Sequence, residues 1–304
     1  MLAVRTYDFW RVDVFADQPL EGNPLAVFPR AQGLTEAEML KIAREMNISE
    51  TTFILPSTAA GADYRNRIFT PGGEIPFAGH PSLGTAFVAA MEGIVPMRDG
   101  VVHVKQEVGI GVLPLELSVS GGIIDRVVMI QGAPVLGGHL KNTEHLARAL
   151  GVTPKDLTAT GFLPQVVSTG IPSLQIPLGS VDLLRRLRPD MNALGSFLGR
   201  IGPDAGAYVF AWQGNGSDLH ARGFFPQHGI AEDPATGSAA GACGAYLAGH
   251  GLLPLKDWLV ISQGTEVHKP SRIEVSVATD GGRPAEVRVA GRVLPVMRGT
   301  LTLP

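Results

Sequence analysis

Aromatic and β-branched residues alternate with charged ones from Tyr7 to Phe15, the two-residue period of a strand with one face in a core. A turn at Asp17-Gln18-Pro19 and the segment Glu21-Gly22-Asn23-Pro24 lead into a second short strand, Leu25 to Phe28. The period then changes. Thr35 with Glu38 three residues on is a capping box, and Met39, Ile42, Ala43 and Met46 recur at helical spacing. That pattern predicts a helix ending at Asn47, a residue tolerant of left-handed geometry, with Ser49 and Glu50 on the connection into a strand from Thr51 to Leu55. Further strands are expected at Tyr64 to Phe69, Val101 to Val108, Leu113 to Val119 and Ile123 to Ile130, with Gly121-Gly122 as a hairpin turn between the last two. The run Ser82 to Met91 is apolar on nearly every face, as in a helix enclosed on all sides. Thr143 to Leu150 and Ser180 to Leu187 read as surface helices.

Half a chain length after Arg67-Ile68-Phe69-Thr70-Pro71 comes a near copy, Arg222-Gly223-Phe224-Phe225-Pro226. Each is followed by an acidic loop (Glu74; Glu232 and Asp233) and then a run of small residues opening an apolar helix, Phe77 to Phe87 and Glu232 to Gly249. A duplicated domain, its halves facing each other across a cleft, is therefore expected. The fold class is α/β (α+β), two similar domains of mostly antiparallel curled sheet around a central helix. Residues 1–125 are assigned to the first domain and 126–304 to the second, the last strand being free to return to the first.

Composition narrows the function classes. Lys and Arg number 25 against 28 Asp and Glu, a formal charge of -3, so no basic surface courts nucleic acid. A single cysteine, Cys243, can form neither an intramolecular disulfide nor a thiolate metal cage, and no metal site is expected. Arg5, Asp8, Arg11 and Asp13 break the N-terminal segment, so neither a signal peptide nor a membrane span is expected, and the cytoplasm is the default location.

A helix opening with glycine and hydroxyl residues exposes unpaired N–H groups and the positive end of its dipole, a place for a carboxylate. Gly79-His80-Pro81-Ser82 and Thr236-Gly237-Ser238-Ala239 both have that character. Proton abstraction beside a carboxylate or amine needs a base near the carbon and dipoles to receive the developing charge, and Glu50, His80 and Asp233 are the candidates. Each has a plainer reading: Glu50 as an exposed loop carboxylate, His80 as a cap on the buried helix, Asp233 as a first-turn helix acid. Arg67 and Arg222 read as anchors for Glu74 and Glu232, Cys243 as core, and His228 as a turn residue.

Taken together, the motifs resemble the phenazine-biosynthesis PhzF-like family, itself similar in fold to diaminopimelate epimerase and proline racemase. The resemblance runs nearly end to end, through DVFADQPLEGNPLAVF (Asp13 to Phe28), AREMNISETTF (Ala43 to Phe53), RIFTPGGEIPFAGHPSLGTA (Arg67 to Ala86), GFFPQHGIAEDPATGSAAG (Gly223 to Gly241) and QGTEVHKPS (Gln263 to Ser271). It implies an active site in the interdomain cleft, a homodimer, and catalysis without metal or organic cofactor. The family's isomerase rearranges dihydro-hydroxyanthranilate. Its acid/base glutamate falls on Glu50, its histidine on His80, its aspartate on Asp233 and the serine after TG on Ser238. Asn23, Gly79, Gly237 and Ser238 are assigned to substrate binding. The related racemases use two facing thiols, and the position resembling one of them is Thr236, so a two-thiol racemase is excluded. The expected function is a cofactor-independent isomerase moving a proton on a small carboxylate-bearing substrate. A racemase or epimerase of an amino-acid-like compound, or a binding protein without turnover, stands as the alternative. His268-Lys269-Pro270-Ser271 and Ser168-Thr169-Gly170-Ile171-Pro172 depart from the family's usual residues and bear on substrate choice.

Overall fold

Local chemistry sets the first elements in a computed structural model that describes residues 4–214, 218–253 and 257–304. Strand β1 (Arg5–Val14) and β2 (Asn23–Phe28) precede α1 (Glu36–Met46). The Thr35 side chain accepts from the Glu38 amide while the Glu38 carboxylate accepts from the Thr35 amide, and Asn47 closes the helix at φ 48°. There follow β3 (Glu50–Leu55), β4 (Tyr64–Thr70), β5 (Gly73–Ile75), α2 (Gly79–Met91), β6 (Gly100–Val108), β7 (Gly111–Ser120) and β8 (Ile123–Gln131). Gly121 and Gly122, both at positive φ, make the turn between β7 and β8. The α2 helix starts three residues before the expected Ser82, because Pro81 falls in the first turn, where a missing N–H costs nothing. The first three residues of the segment read for a leader lie outside the described residues.

The second half supplies β9 (Val135–His139), α3 (Glu144–Leu150), β10 (Gln165–Ser168), β11 (Pro172–Pro177), α4 (Val181–Arg185), α5 (Met191–Leu198), β12 (Gly206–Trp212), β13 (Asp218–Phe225) and β14 (Ile230–Asp233). It continues with α6 (Gly237–Gly249), β15 (Leu259–Gln263), β16 (Ser271–Asp280) and β17 (Arg283–Gly291), and β18 (Val293–Leu303) ends the chain. Contacts divide it into two units, Met1–Ile130 with Ala290–Pro304, and Gln131–Val289.

Within the first unit β1 runs antiparallel to β18 and to β2, β2 parallel to β3, β3 antiparallel to β4, and β4 antiparallel to β5 but parallel to β6. Within the second, β10 runs antiparallel to β9 and to β11, β11 parallel to β12, β12 antiparallel to β13, and β13 antiparallel to β14 but parallel to β15. The same pairings in the same order establish the duplication, and register makes it residue-specific. Leu25 opposite Glu50 corresponds to Ser173 opposite Gly206, and Thr51 opposite Phe69 to Ala207 opposite Phe224. The fold is mixed α/β and mostly sheet.

Each unit has a 13-residue helix buried over nearly its whole length, α2 in the first and α6 in the second. Packing against β1, β2, β3 and β7 covers α2, and β9 to β12 with β16 cover α6. A second core in the first unit lies under α1, where Phe28, Phe53 and Phe69 meet Met39 and Ile42. In the second unit α3 to α5 cover β11 and β12 with Leu146, Leu150, Leu184 and Leu194, so α3 is half core rather than a surface helix.

Candidate functional site

Strand β3 has a helix on each face. Phe53 stacks on Phe28 at 5.1 Å and meets Phe69 edge-on at 5.5 Å in the core under α1, whereas Thr52 Oγ1 lies 2.8 Å from Thr85 Oγ1 of α2. Side chains alternate along a strand, so Glu50, two residues before Thr52, faces the α2 side as well. There its Oε2 stands 3.3 Å from Nε2 of His80, in the first turn of α2. Glu50 is 8% exposed and His80 6%. Glu50 is thus the first residue of a strand rather than part of a connection, and it is not an exposed loop carboxylate. Parallel pairing with β2 begins opposite Leu25 and draws it in.

Nor does His80 cap its helix; Ala78 holds the capping position without a side-chain bond. Burial pushes the His80 imidazole down to about 3, against the pull of its hydrogen bond to the Pro24 carbonyl. Nε2 makes no hydrogen bond, so Nδ1 carries the proton donated to Pro24, and Nε2 presents a lone pair toward Glu50. The Ser49 hydroxyl donates to Asn23 Oδ1 at 3.3 Å. EGNP, NISE and FAGHP, far apart in the chain, therefore meet in the first unit.

Nitrogen NMR is expected to show His80 as the neutral Nδ1–H tautomer from pH 8 down to pH 5. In that range the unfolded chain, titrating near 6.5, takes up a proton that the folded chain refuses until about 3. The contribution of His80 to stability is whole above about pH 6.5 and is lost as pH falls toward 3. Urea titrations at pH 7 and pH 5 check this: wild type should lose more stability between them than His80→Asn.

Asp233, Gly237 and Ser238 lie in the second unit. Asp233 ends β14 instead of serving as a first-turn helix acid, and it is 7% exposed. Its Oδ2 accepts from the Thr236 hydroxyl. Gln263, fully buried at the end of β15, ties this corner together. Its Nε2 donates to the Asp233 carbonyl at 2.8 Å and to Thr236 Oγ1 at 3.1 Å, while its Oε1 accepts from the Thr236 amide at 3.2 Å and from the Tyr208 hydroxyl at 3.0 Å.

The head of α6 is also braced. The carbonyls of Gly237, Ser238 and Ala239 accept from Gln131 Nε2 at 3.2 Å, Thr169 Oγ1 at 3.3 Å and Gln175 Nε2 at 3.4 Å. These donors polarise the first peptide groups and fix the tip, whose own N–H groups have no partner within the helix. Sequence reasoning passed over Gln263 and Thr169 as individual residues, though each lies in a motif it singled out.

The repeated arginines are anchors. Arg67 pairs with Glu74 and Glu36 in the first unit; Arg222 pairs with Glu232 at 2.7 and 2.8 Å in the second and donates to the carbonyls of Leu184 and Leu187. Each guanidinium lies 5.1 Å from a phenyl ring, Phe69 or Phe224. Glu50 has no such twin. A side chain at its counterpart, Gly206, would begin 2.1 Å from the ring of Phe225, which fills that space. Cys243 is buried, its thiol raised by desolvation. Among the described residues no group of three or more His, Cys, Asp or Glu is placed to hold a metal ion, and no helix is long and apolar enough to cross a membrane.

Residues 12–299 match the family described as phenazine biosynthesis-like protein. The trans-2,3-dihydro-3-hydroxyanthranilate isomerase of Pseudomonas aeruginosa is 38% identical over 280 residues, 92% of this chain and 94% of that one. The crystal structure of a PhzF-family phenazine biosynthesis protein from Bacillus anthracis superposes with a TM-score of 0.84 at 30% identity, covering 98% of this chain and 99% of that one. A probable proline racemase from Agrobacterium radiobacter shares the fold at a TM-score of 0.68 and 15% identity, over 98% of this chain and 93% of that one.

Proposed function

The chain belongs to the phenazine biosynthesis-like protein family, and from that premise we propose that it isomerises a small carboxylate-bearing molecule by moving one proton. Its relative's substrate, trans-2,3-dihydro-3-hydroxyanthranilate, is the first compound to try.

The contact between Glu50 and His80 carries this reading. A carboxylate and a lone pair 3.3 Å apart form no bond, but once Glu50 gains a proton its O–H can donate to Nε2. Glu50 accepts a proton from a substrate carbon, leaving an electron pair that spreads through the conjugated system, and parks it toward His80. It then returns the proton at another carbon. Asp233 orients the substrate, Asn23 and Ser238 bind it, and the amides at Gly79 and Gly237 hold its carboxylate.

Incubation with trans-2,3-dihydro-3-hydroxyanthranilate in deuterium oxide, followed by proton NMR, tests the proposal. Product carrying one deuterium at a new carbon supports it. Deuterium entering a stereocentre with inversion makes the protein an epimerase instead, and saturable binding without exchange makes it a binding protein. A homodimer in the cytoplasm belongs to the same proposal, and sedimentation equilibrium checks the dimer.

A further inference from the structure

Two backbone groups that cannot reverse set the orientation of Gln263. A backbone amide only donates and a carbonyl only accepts, so the Thr236 amide fixes Oε1 of Gln263 and the Asp233 carbonyl fixes Nε2. Nε2 therefore donates to Thr236 Oγ1 as well, and the single hydroxyl proton of Thr236 turns to Asp233 Oδ2. Tyr208 closes the far end by donating to Oε1. With Asp233 ionised, Oδ2 accepts the Thr236 hydroxyl proton. The corner leaves no slack, since a Cβ on Gly223 would lie 3.0 Å from Thr236 Oγ1 and 3.1 Å from Gln263 Nε2.

We propose that Thr236 and Gln263 are positioning residues that present Asp233 to the substrate as an ionised, fixed carboxylate. This rests on the reading that Asp233 meets the substrate. A hydrogen bond given to the charged form favours that form. In the chain of bonds from Tyr208 each donor is polarised by the one behind it. Thr236, although its position resembles that of a catalytic thiol in the related racemases, is on this account no acid or base itself, its proton being committed to its neighbour. Asp233 then works as an acceptor for a substrate N–H or O–H, and a ligand lacking that donor binds poorly.

Other charged or titratable groups come from the elements packed around Asp233. Glu232 is held by Arg222, Glu266 is paired with His220 at 2.9 Å, and His228 and Lys269 lie on the adjoining turns. Tyr208 and Cys243 are kept uncharged by burial. Deleting the Thr236 hydroxyl leaves all of these in place.

Carbon NMR of protein labelled at the aspartate carboxyls reads Asp233 directly and needs no substrate. In Thr236→Val the titration midpoint of Asp233 should rise by about one pH unit, and in Thr236→Ser it should stay near wild type. The acid limb of kcat/KM for deuterium exchange should move with it. Thr236→Ala deletes the hydroxyl without added bulk and should show the same rise if the valine variant does not fold. An unmoved midpoint in a folded variant lacking the hydroxyl overturns the proposal. Asp233→Asn tests the underlying reading separately: full turnover there would remove Asp233 from the reaction, whatever the titration shows.

Discussion

Glu50→Gln is expected to lower solvent deuterium exchange by about 10³-fold or more, because an amide neither takes a proton from carbon nor returns one. The fold should survive. Glutamine has the same shape, and its NH2 can donate across the 3.3 Å gap to the lone pair on His80 Nε2. Stability is therefore expected to be unchanged or slightly raised, and substrate affinity to stay within about threefold of wild type. Stopped NMR exchange, calorimetric binding and urea denaturation on one preparation separate the three effects. Undiminished exchange would remove Glu50 from the chemistry; loss of exchange together with loss of fold would leave the burial of Glu50, rather than its acidity, as the thing tested.

The second large effect comes from the duplicated arginine pairs. Arg222 and Glu232 have side chains 6% and 12% exposed, against 15% and 34% for Arg67 and Glu74. Removing one member of a buried pair strands the other charge away from water, so Glu232→Ala should cost about 3–5 kcal/mol. In Glu74→Ala the guanidinium keeps Glu36 and some contact with solvent, and the cost should be about 1 kcal/mol or less. Urea unfolding of the two variants side by side checks this. Equal losses would show that depth of burial does not set the strength of these anchors.

What the sequence disclosed and what it withheld divide by range. The Thr35 capping box, the left-handed Asn47 and the Gly121-Gly122 turn depend on residues a few positions apart, and each formed as the pattern predicts. The repeat was legible because both copies keep an arginine, an aromatic and a proline at fixed spacing. The position of Glu50 at the head of β3 was not, since it depends on a parallel register with β2, set across the 21-residue span of chain that holds α1. The part played by Gln263 was hidden for the same reason. Its partners Asp233, Thr236 and Tyr208 stand 27 to 55 residues away, and nothing in QGTEVHKPS marks the glutamine above its neighbours. Motifs identified which segments matter; only the strand pairing showed which side chains within each unit they bring into contact.

The ring of Phe225 at Gly206 gives the duplication a direction. The second half has no room for an acid at the position that matches Glu50, because the Phe225 ring fills it. Placing an acid in the second half takes two changes, one at 206 and one at 225, because either alone meets a steric clash or leaves a void. A substitution at 206 alone therefore does not give the second half a counterpart of Glu50.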